Sequence, residues 1–96
     1  MDQRFEVWLD TYDAMYEALP ARGDAACPNC GLATLRLVFT GDPERRLGWA
    51  QLWCESCNLG IHVSRTTIPD GAPMNDRGTP VAARPHPVPN YTLVTP

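Results

Sequence analysis

The four cysteines of this 96-residue chain are the side chains best suited to chemistry, and they stand in two closely spaced pairs. Cys27 and Cys30 form one Cys-x-x-Cys pair, Cys54 and Cys57 form the other, and 23 residues separate the two pairs. Two residues between the thiols let both sulfurs of a pair reach one ion, and four thiolates are a common shell of structural zinc sites. We therefore expect one zinc ion per chain, bound by these four residues.

Paired thiols also occur in disulfides and in redox-active thiol pairs. Two disulfides would suit a secreted domain, but the N-terminus is acidic and amphipathic and shows no basic region followed by an apolar run. Reactive thiol pairs of the thioredoxin type would be expected within a βαβ pattern, which surrounds neither pair. We expect the cysteines to be reduced and metal-bound, and the protein to be cytoplasmic.

The two cysteine knuckles resemble those of a zinc ribbon of the rubredoxin-like type, over roughly residues 25–68. The resemblance implies that both knuckles clamp one ion beside a small three-stranded antiparallel sheet, with the four cysteines as ligands. Gly31, directly after the first pair, and Gly60, three residues after the second, suit the positive φ that a knuckle often needs. Zinc ribbons share a scaffold rather than an activity. Iron stays open as the ion, because rubredoxins use four thiolates of similar spacing.

Residues 1–24 predict an amphipathic helix from about Asp2 to Leu19, with apolar residues recurring every three or four positions and acids on the opposite side. Asp2 is the expected N-cap, and Pro20 and Gly23 are the expected stop. The apolar stripe either packs on the ribbon or docks a protein partner or a second copy of the chain. Its aromatic members are Phe5, Trp8, Tyr12 and Tyr16.

Residues 25–68 change to the alternating pattern of strands, at Thr34–Thr40, Leu47–Trp53 and Leu59–Thr67. A ribbon this thin cannot bury both faces alone, so we expect one apolar face to receive the helix. Trp49 and Trp53 then either fill that seam or stay exposed for a ligand. The 44 residues of this segment are too few for a sufficient apolar core, which is why a metal staple is expected.

Residues 69–96 hold seven of the ten prolines, a density that forbids regular helix and central strand and favours an extended tail. The tail ends in the β-prone run Tyr91–Val94. We expect this run to make an ordered contact: it wraps the domain, adds a strand to a free sheet edge, or binds another chain. Its partner-contacting residues would be Tyr91, Leu93 and Val94.

The predicted fold is therefore a small metal-stapled α+β structure: a three-stranded antiparallel zinc ribbon with an N-terminal amphipathic helix and an extended proline-rich tail. No apolar run approaches the ~18 residues needed to span a bilayer. Catalytic patterns are thin, since His62 and His86 have no acid–base partner near them in sequence. A shell of four thiolates leaves no open position for water, so we expect no enzymatic activity.

Three functions remain as hypotheses. The leading one is a non-catalytic protein–protein interaction module or accessory subunit, which could also form a homo-oligomer. The second is nucleic-acid binding, which the net charge of −3 disfavours because phosphate binding needs uncompensated cations. The third is a rubredoxin-like electron carrier with iron in the four-cysteine site. The residues of a possible nucleic-acid patch are Arg36, Arg45, Arg46, Arg65, Trp49 and Trp53.

Overall fold

The computed structural model describes residues 3–19 and 25–95. Its elements are α1 (Gln3–Ala18), β1 (Leu35–Asp42), β2 (Leu47–Cys54), β3 (Leu59–Thr67), β4 (Met74–Asp76), a short 3₁₀ helix (Val81–Ala83) and β5 (Thr92–Leu93). The predicted helix and the three predicted ribbon strands are confirmed to within two residues at each end. The expected N-cap Asp2 and the stop residues Pro20 and Gly23 lie outside the described residues. No helix in the described ranges is both long and apolar enough to cross a bilayer.

The five strands form one mixed sheet in the order β4-β1-β2-β3-β5. The central three pair antiparallel, β1 with β2 and β2 with β3. The outer two pair parallel, β4 with β1 and β5 with β3. The expected three-stranded antiparallel sheet is therefore wrong as a description of the whole sheet. Proline is disfavoured in central strands because it cannot donate a ladder hydrogen bond. The proline-rich tail still forms two strands, because both are short, contain no proline and lie at the sheet edges.

Helix α1 covers one face of the sheet. Trp8 is fully buried and Tyr12 is 6% exposed, and both belong to one core cluster with Phe39, Leu52 and other residues of the central strands. The Tyr16 ring meets Phe39 edge-on at a centroid distance of 6.0 Å. The aromatic stripe thus packs largely on the chain's own ribbon, which was one of the two expected arrangements.

The helix is also tied to the end of β3 by its tyrosine hydroxyls. The hydroxyl of Tyr12 lies 3.0 Å from that of Thr66, and the hydroxyl of Tyr16 donates to the carbonyl oxygen of Thr67 at 2.7 Å. Each tyrosine therefore buries its ring in the seam while its polar end finds a partner at the sheet margin, as buried tyrosines usually do.

The tail covers the other face. Because β4 and β5 occupy opposite edges of the sheet, residues 77–91 pass from one edge to the other, and we call them the strap. Asn75 in β4 is 1% exposed; its side-chain amide donates to the His86 carbonyl at 2.6 Å and accepts from the His86 N–H at 3.0 Å. At the far edge, Tyr91 stacks on Trp53 at 6.1 Å with ring planes 8° apart. Both faces of the thin ribbon are therefore covered.

The end of the tail makes the ordered contact that its composition suggested. The N–H groups of Thr92 and Val94 donate to the carbonyl oxygens of Asn58 and Gly60, at 2.8 and 2.7 Å. Val94 is 5% exposed and belongs to the core cluster. The tail thus adds a strand to a free edge of the chain's own ribbon, one of the three arrangements expected for it.

Candidate metal centre

The four cysteines meet at one end of the sheet. The first knuckle, residues 27–31, precedes β1, and the second, residues 54–58, connects β2 to β3. The pairing of Leu35 with Cys54 brings these two segments side by side, and the Glu55 N–H donates to the Thr34 carbonyl at 3.0 Å. The sheet register therefore carries both pairs to one place, although 23 residues separate them in sequence.

The geometry of the sulfurs suits one tetrahedral ion. All four Sγ atoms lie within 4.8 Å of one another, and the sulfurs of Cys27 and Cys57, like those of Cys30 and Cys54, are 3.6 Å apart. Four sulfurs at about 2.3 Å from a tetrahedral ion would be about 3.8 Å apart. A disulfide needs about 2.05 Å, and all four cysteines are free thiols. The residues present thus form a cluster that could hold a metal ion.

The two knuckles share the same local backbone structure. In each, the residue after the second cysteine donates its N–H to the carbonyl of the first cysteine at 2.9 Å: Gly31 to Cys27, and Asn58 to Cys54. These two residues have positive φ angles, 78° at Gly31 and 60° at Asn58. Asparagine tolerates the left-handed region better than most side chains, which lets it take the place of glycine.

Gly60, expected from the sequence to supply the positive φ of the second knuckle, has a different role. A Cβ on Gly60 would lie 2.5 Å from the Leu52 carbonyl oxygen and 2.7 Å from the Tyr91 ring. Only glycine therefore leaves room at this point of β3 for both the neighbouring strand β2 and the ring of Tyr91 in the tail. The expectation for the first knuckle is confirmed at Gly31, and the expectation for the second is corrected to Asn58.

The sulfur of Cys27 is buried and receives backbone hydrogen bonds. The N–H groups of Asn29 and Cys30 donate to it at 3.3 and 3.5 Å. Burial raises the pKa of the Cys27 thiol to about 12, and these two N–H groups oppose the rise. A bound cation would reverse that balance, because metal ions bind thiolates and displace their protons.

The sulfur of Cys54 has a different environment, which includes a hydroxyl pair. The Thr34 hydroxyl lies 3.1 Å from Cys54 Sγ and 2.9 Å from the Ser56 hydroxyl. Burial is the largest influence and raises the pKa of Cys54, but the Thr34 hydroxyl and two backbone N–H groups of the same knuckle outweigh it and lower the pKa to about 6. A lowered pKa favours the thiolate form, which is the form that binds a cation. The sequence did not indicate that the Thr34 and Ser56 hydroxyls lie beside the cysteine cluster.

The cluster is buried on one side and open on the other. Cys27 and Cys54 are 3% and 0% exposed and belong to the hydrophobic core cluster, whereas Cys30 is exposed and Cys57 is half-buried. Leu32, beside the first knuckle, is 53% exposed. An ion here would therefore be bound by buried sulfurs on its core side and by more exposed sulfurs on its solvent side.

The remaining chemically interesting residues lie elsewhere. His62 is exposed on β3, and His86 is half-buried in the strap; neither belongs to the cysteine cluster. Trp53 is 4% exposed and covered by Tyr91, and Trp49 is half-buried. The structure therefore brings the four cysteines together, but it does not bring either histidine to them.

Comparison with protein-family models, curated proteins and solved structures finds no match for this chain. The resemblance to a zinc ribbon accordingly depends on the cysteine spacing and on the geometry of the cluster. A donor set of four sulfurs suits zinc or iron among the common metal ions.

Proposed function

We propose that the chain is a zinc-stapled ribbon that works by binding another protein and not by catalysis. The observation that carries the metal part is the cluster of four Sγ atoms within 4.8 Å of one another. Four thiolates complete a tetrahedral shell, so the ion would have no position for water or substrate and would act as a structural staple. Its free energy of binding would then be part of the free energy of folding of the ribbon.

The binding role is supported by the apolar side chains that the fold leaves on its surface. Trp8 and Tyr12 are used internally, but Phe5 and Tyr16 of the same stripe are only partly buried. At the sheet edge formed by β5, Leu93 is 50% exposed. An edge strand with an exposed leucine is a suitable place for a protein partner to add a strand or to cover apolar surface. We propose β5 as the principal contact.

The identity of the ion is tested by metal analysis and optical absorption of the purified full-length chain. We expect one zinc per chain and a colourless solution. A red solution with one iron per chain would replace this proposal with the electron-carrier hypothesis. Preparations that fold fully with no metal would contradict the structural role of the cluster.

The protein-binding role is tested by affinity capture from the native host with matched variants. Leu93→Asp places a charge on the exposed residue of β5, and Leu47→Asp makes the same change at a residue of nearly equal exposure, 51% against 50%. We expect a captured protein to be lost with Leu93→Asp and kept with Leu47→Asp. Equal capture by both variants would contradict the contact at β5, and no reproducible partner would contradict the binding role.

No observation favours nucleic-acid binding over protein binding. Three of the four arginines of the suggested patch are ion-paired: Arg36 with Glu55 at 2.8 Å, Arg45 with Asp42 at 3.9 Å, and Arg46 with Asp70 at 3.8 Å. The indole of Trp53 lies under Tyr91, so it offers no free ring for base stacking. Paired arginines release few counterions on binding phosphate, which weakens the main source of affinity.

A further inference from the structure

A cavity of about 230 Å³ lies between the strap and the second face of the sheet. Gln51 of β2 and Asn75 of β4 contribute from the sheet side. The strap contributes Arg84, His86 and Asn90, together with two valines and two prolines. The cavity thus combines an apolar lining with a few polar groups, as small-molecule sites usually do.

The charge of this lining is opposite to that of the chain. The protein carries eleven acids and has a net charge of −3, yet no acid lines the cavity. The two titratable side chains that line it are Arg84 and His86, both of basic type. Within the described residues, Arg84 has no carboxylate at ion-pair distance. Its positive charge is therefore not neutralised by any carboxylate in the described part of the chain.

The guanidinium of Arg84 is also held in place. Its Nε donates to the Thr79 carbonyl at 3.0 Å and its Nη2 to the Arg77 carbonyl at 3.5 Å. No described residue accepts a hydrogen bond from its Nη1. Two neutral carbonyls thus orient the group while its remaining N–H donors stay available, so less side-chain entropy would be lost when a ligand binds.

His86 is positioned by its backbone alone. Asn75 binds both the N–H and the carbonyl of His86, and no described group makes a hydrogen bond to the imidazole ring. The buried Asn75 therefore fixes the strap across the sheet and leaves the ring free as a further donor to the cavity.

We propose that this cavity binds a small oxyanion, a carboxylate or a phosphate, through the Arg84 guanidinium and the His86 ring. The planar fork of arginine matches the oxygen spacing of both groups. The volume lies below the roughly 300–1,000 Å³ of typical drug-sized pockets, which limits the ligand to a few heavy atoms. This site is separate from the cysteine cluster, and it stands whether or not the proposed function is right.

The test is an NMR titration of the metal-loaded full-length chain with sodium phosphate and, separately, with sodium succinate. Sodium chloride keeps the ionic strength constant, since free charges respond to salt alone. We expect saturable shifts of the Gln51 side chain, the Arg84 Nε–H and the strap amides with at least one of the two anions. The anion that saturates identifies the phosphate or the carboxylate as the ligand group. Absence of saturable binding by both anions would overturn the proposal.

Matched variants separate the cavity from general electrostatic attraction. Arg84→Gln should raise the dissociation constant of the anion by about tenfold or more, because a charge-assisted hydrogen-bond pair is lost. Arg65→Gln makes the same charge change on β3, outside the cavity lining, and should alter the dissociation constant by less than about twofold.

A third variant guards against a structural effect of Arg84, since that side chain also ties the strap to two carbonyls. His86→Ala keeps the backbone bonds to Asn75, so the strap should stay in place while the anion binds several-fold more weakly. Binding that is equally strong in His86→Ala, Arg84→Gln and Arg65→Gln would overturn the assignment of the site.

Discussion

The knuckle end of the sheet and the strap are both fastened to the same three central strands, but by different means. At the knuckles, four sulfurs from two short segments converge within 4.8 Å, and one ion can hold both segments. The strap is held by several contacts. The buried Asn75 binds His86, Tyr91 stacks on Trp53, and the two-residue strand β5, which follows the strap, pairs with β3. The knuckle end would therefore depend on a single ion and lose its structure all at once, whereas the strap depends on several separate contacts and should loosen gradually.

The largest effect is expected from removing one of the four clustered cysteines. Cys54→Ser removes a fully buried thiol of the proposed metal site, so metal binding should be lost and residues 25–68 should become protease-sensitive, because metal binding and folding are coupled in such sites. Metal content and limited proteolysis provide the measurement. His62→Ala is the control, since this exposed residue lies outside the cluster, and it should retain both metal and resistance. A stable, protease-resistant Cys54→Ser protein would show that the cluster is not a staple.

A smaller effect is expected from the strap. Tyr91→Ala removes the stack on Trp53 and the hydroxyl bond to the Ile61 carbonyl at 3.1 Å, and should lower the free energy of unfolding by about 2–3 kcal/mol. Tyr91→Phe keeps the ring and should cost only about 1 kcal/mol. Urea denaturation of the metal-loaded proteins measures both. Metal content should not change. Loss of metal in either variant would show that the cysteine cluster and the strap are not independent of each other.

Gly60→Ala tests whether β5 depends on close approach to β3. The added methyl would meet the Leu52 backbone carbonyl of β2 and the Tyr91 ring of the tail, at a cost of about 1–3 kcal/mol, and should loosen both β5 and the local pairing of β2 with β3. Amide hydrogen exchange should therefore rise at Thr92 and Val94 and stay low in β1. Uniformly raised exchange would mean that the tail and the ribbon open as one unit.

The smallest of these effects concerns tuning of the metal site. Thr34→Val removes the hydroxyl beside Cys54 Sγ while keeping the side-chain shape, and should weaken metal affinity by about tenfold, the lower end of what supporting hydrogen bonds contribute. Competition with a chromophoric chelator measures it. Thr95→Val is a matched control at an exposed position near the chain end. Equal metal affinities in the two variants would show that the Thr34 hydroxyl does not support metal binding.

The same contrast explains what the sequence could and could not predict. The helix, the central strands and the cysteine knuckles each follow from a local pattern: a 3.6-residue period, an alternation, or a two-residue spacing. The strands β4 and β5 have three and two residues, too few to show any periodicity, and their partners lie far away in the chain. Their pairing depends on tertiary contacts such as that of Asn75 with His86, which composition alone does not reveal.

Within the candidate site, the convergence of the four sulfurs was predictable from the sequence, and their surroundings were not. Cysteine spacing indicates which sulfurs converge, because the knuckle is a local structure. That Thr34 contacts Cys54 depends on the register of β1 against β2, which the alternating pattern leaves open. Asn58 was overlooked because glycine is the more usual residue at positive φ, and a glycine happened to stand two positions later.

X-ray absorption spectroscopy at the zinc edge, on the purified full-length chain, reports directly which atoms surround the ion. We expect one zinc per chain bonded to four sulfurs at about 2.3 Å, with no bonded nitrogen or oxygen. A shell containing nitrogen or oxygen, or a folded chain with two disulfides and no metal, would contradict it.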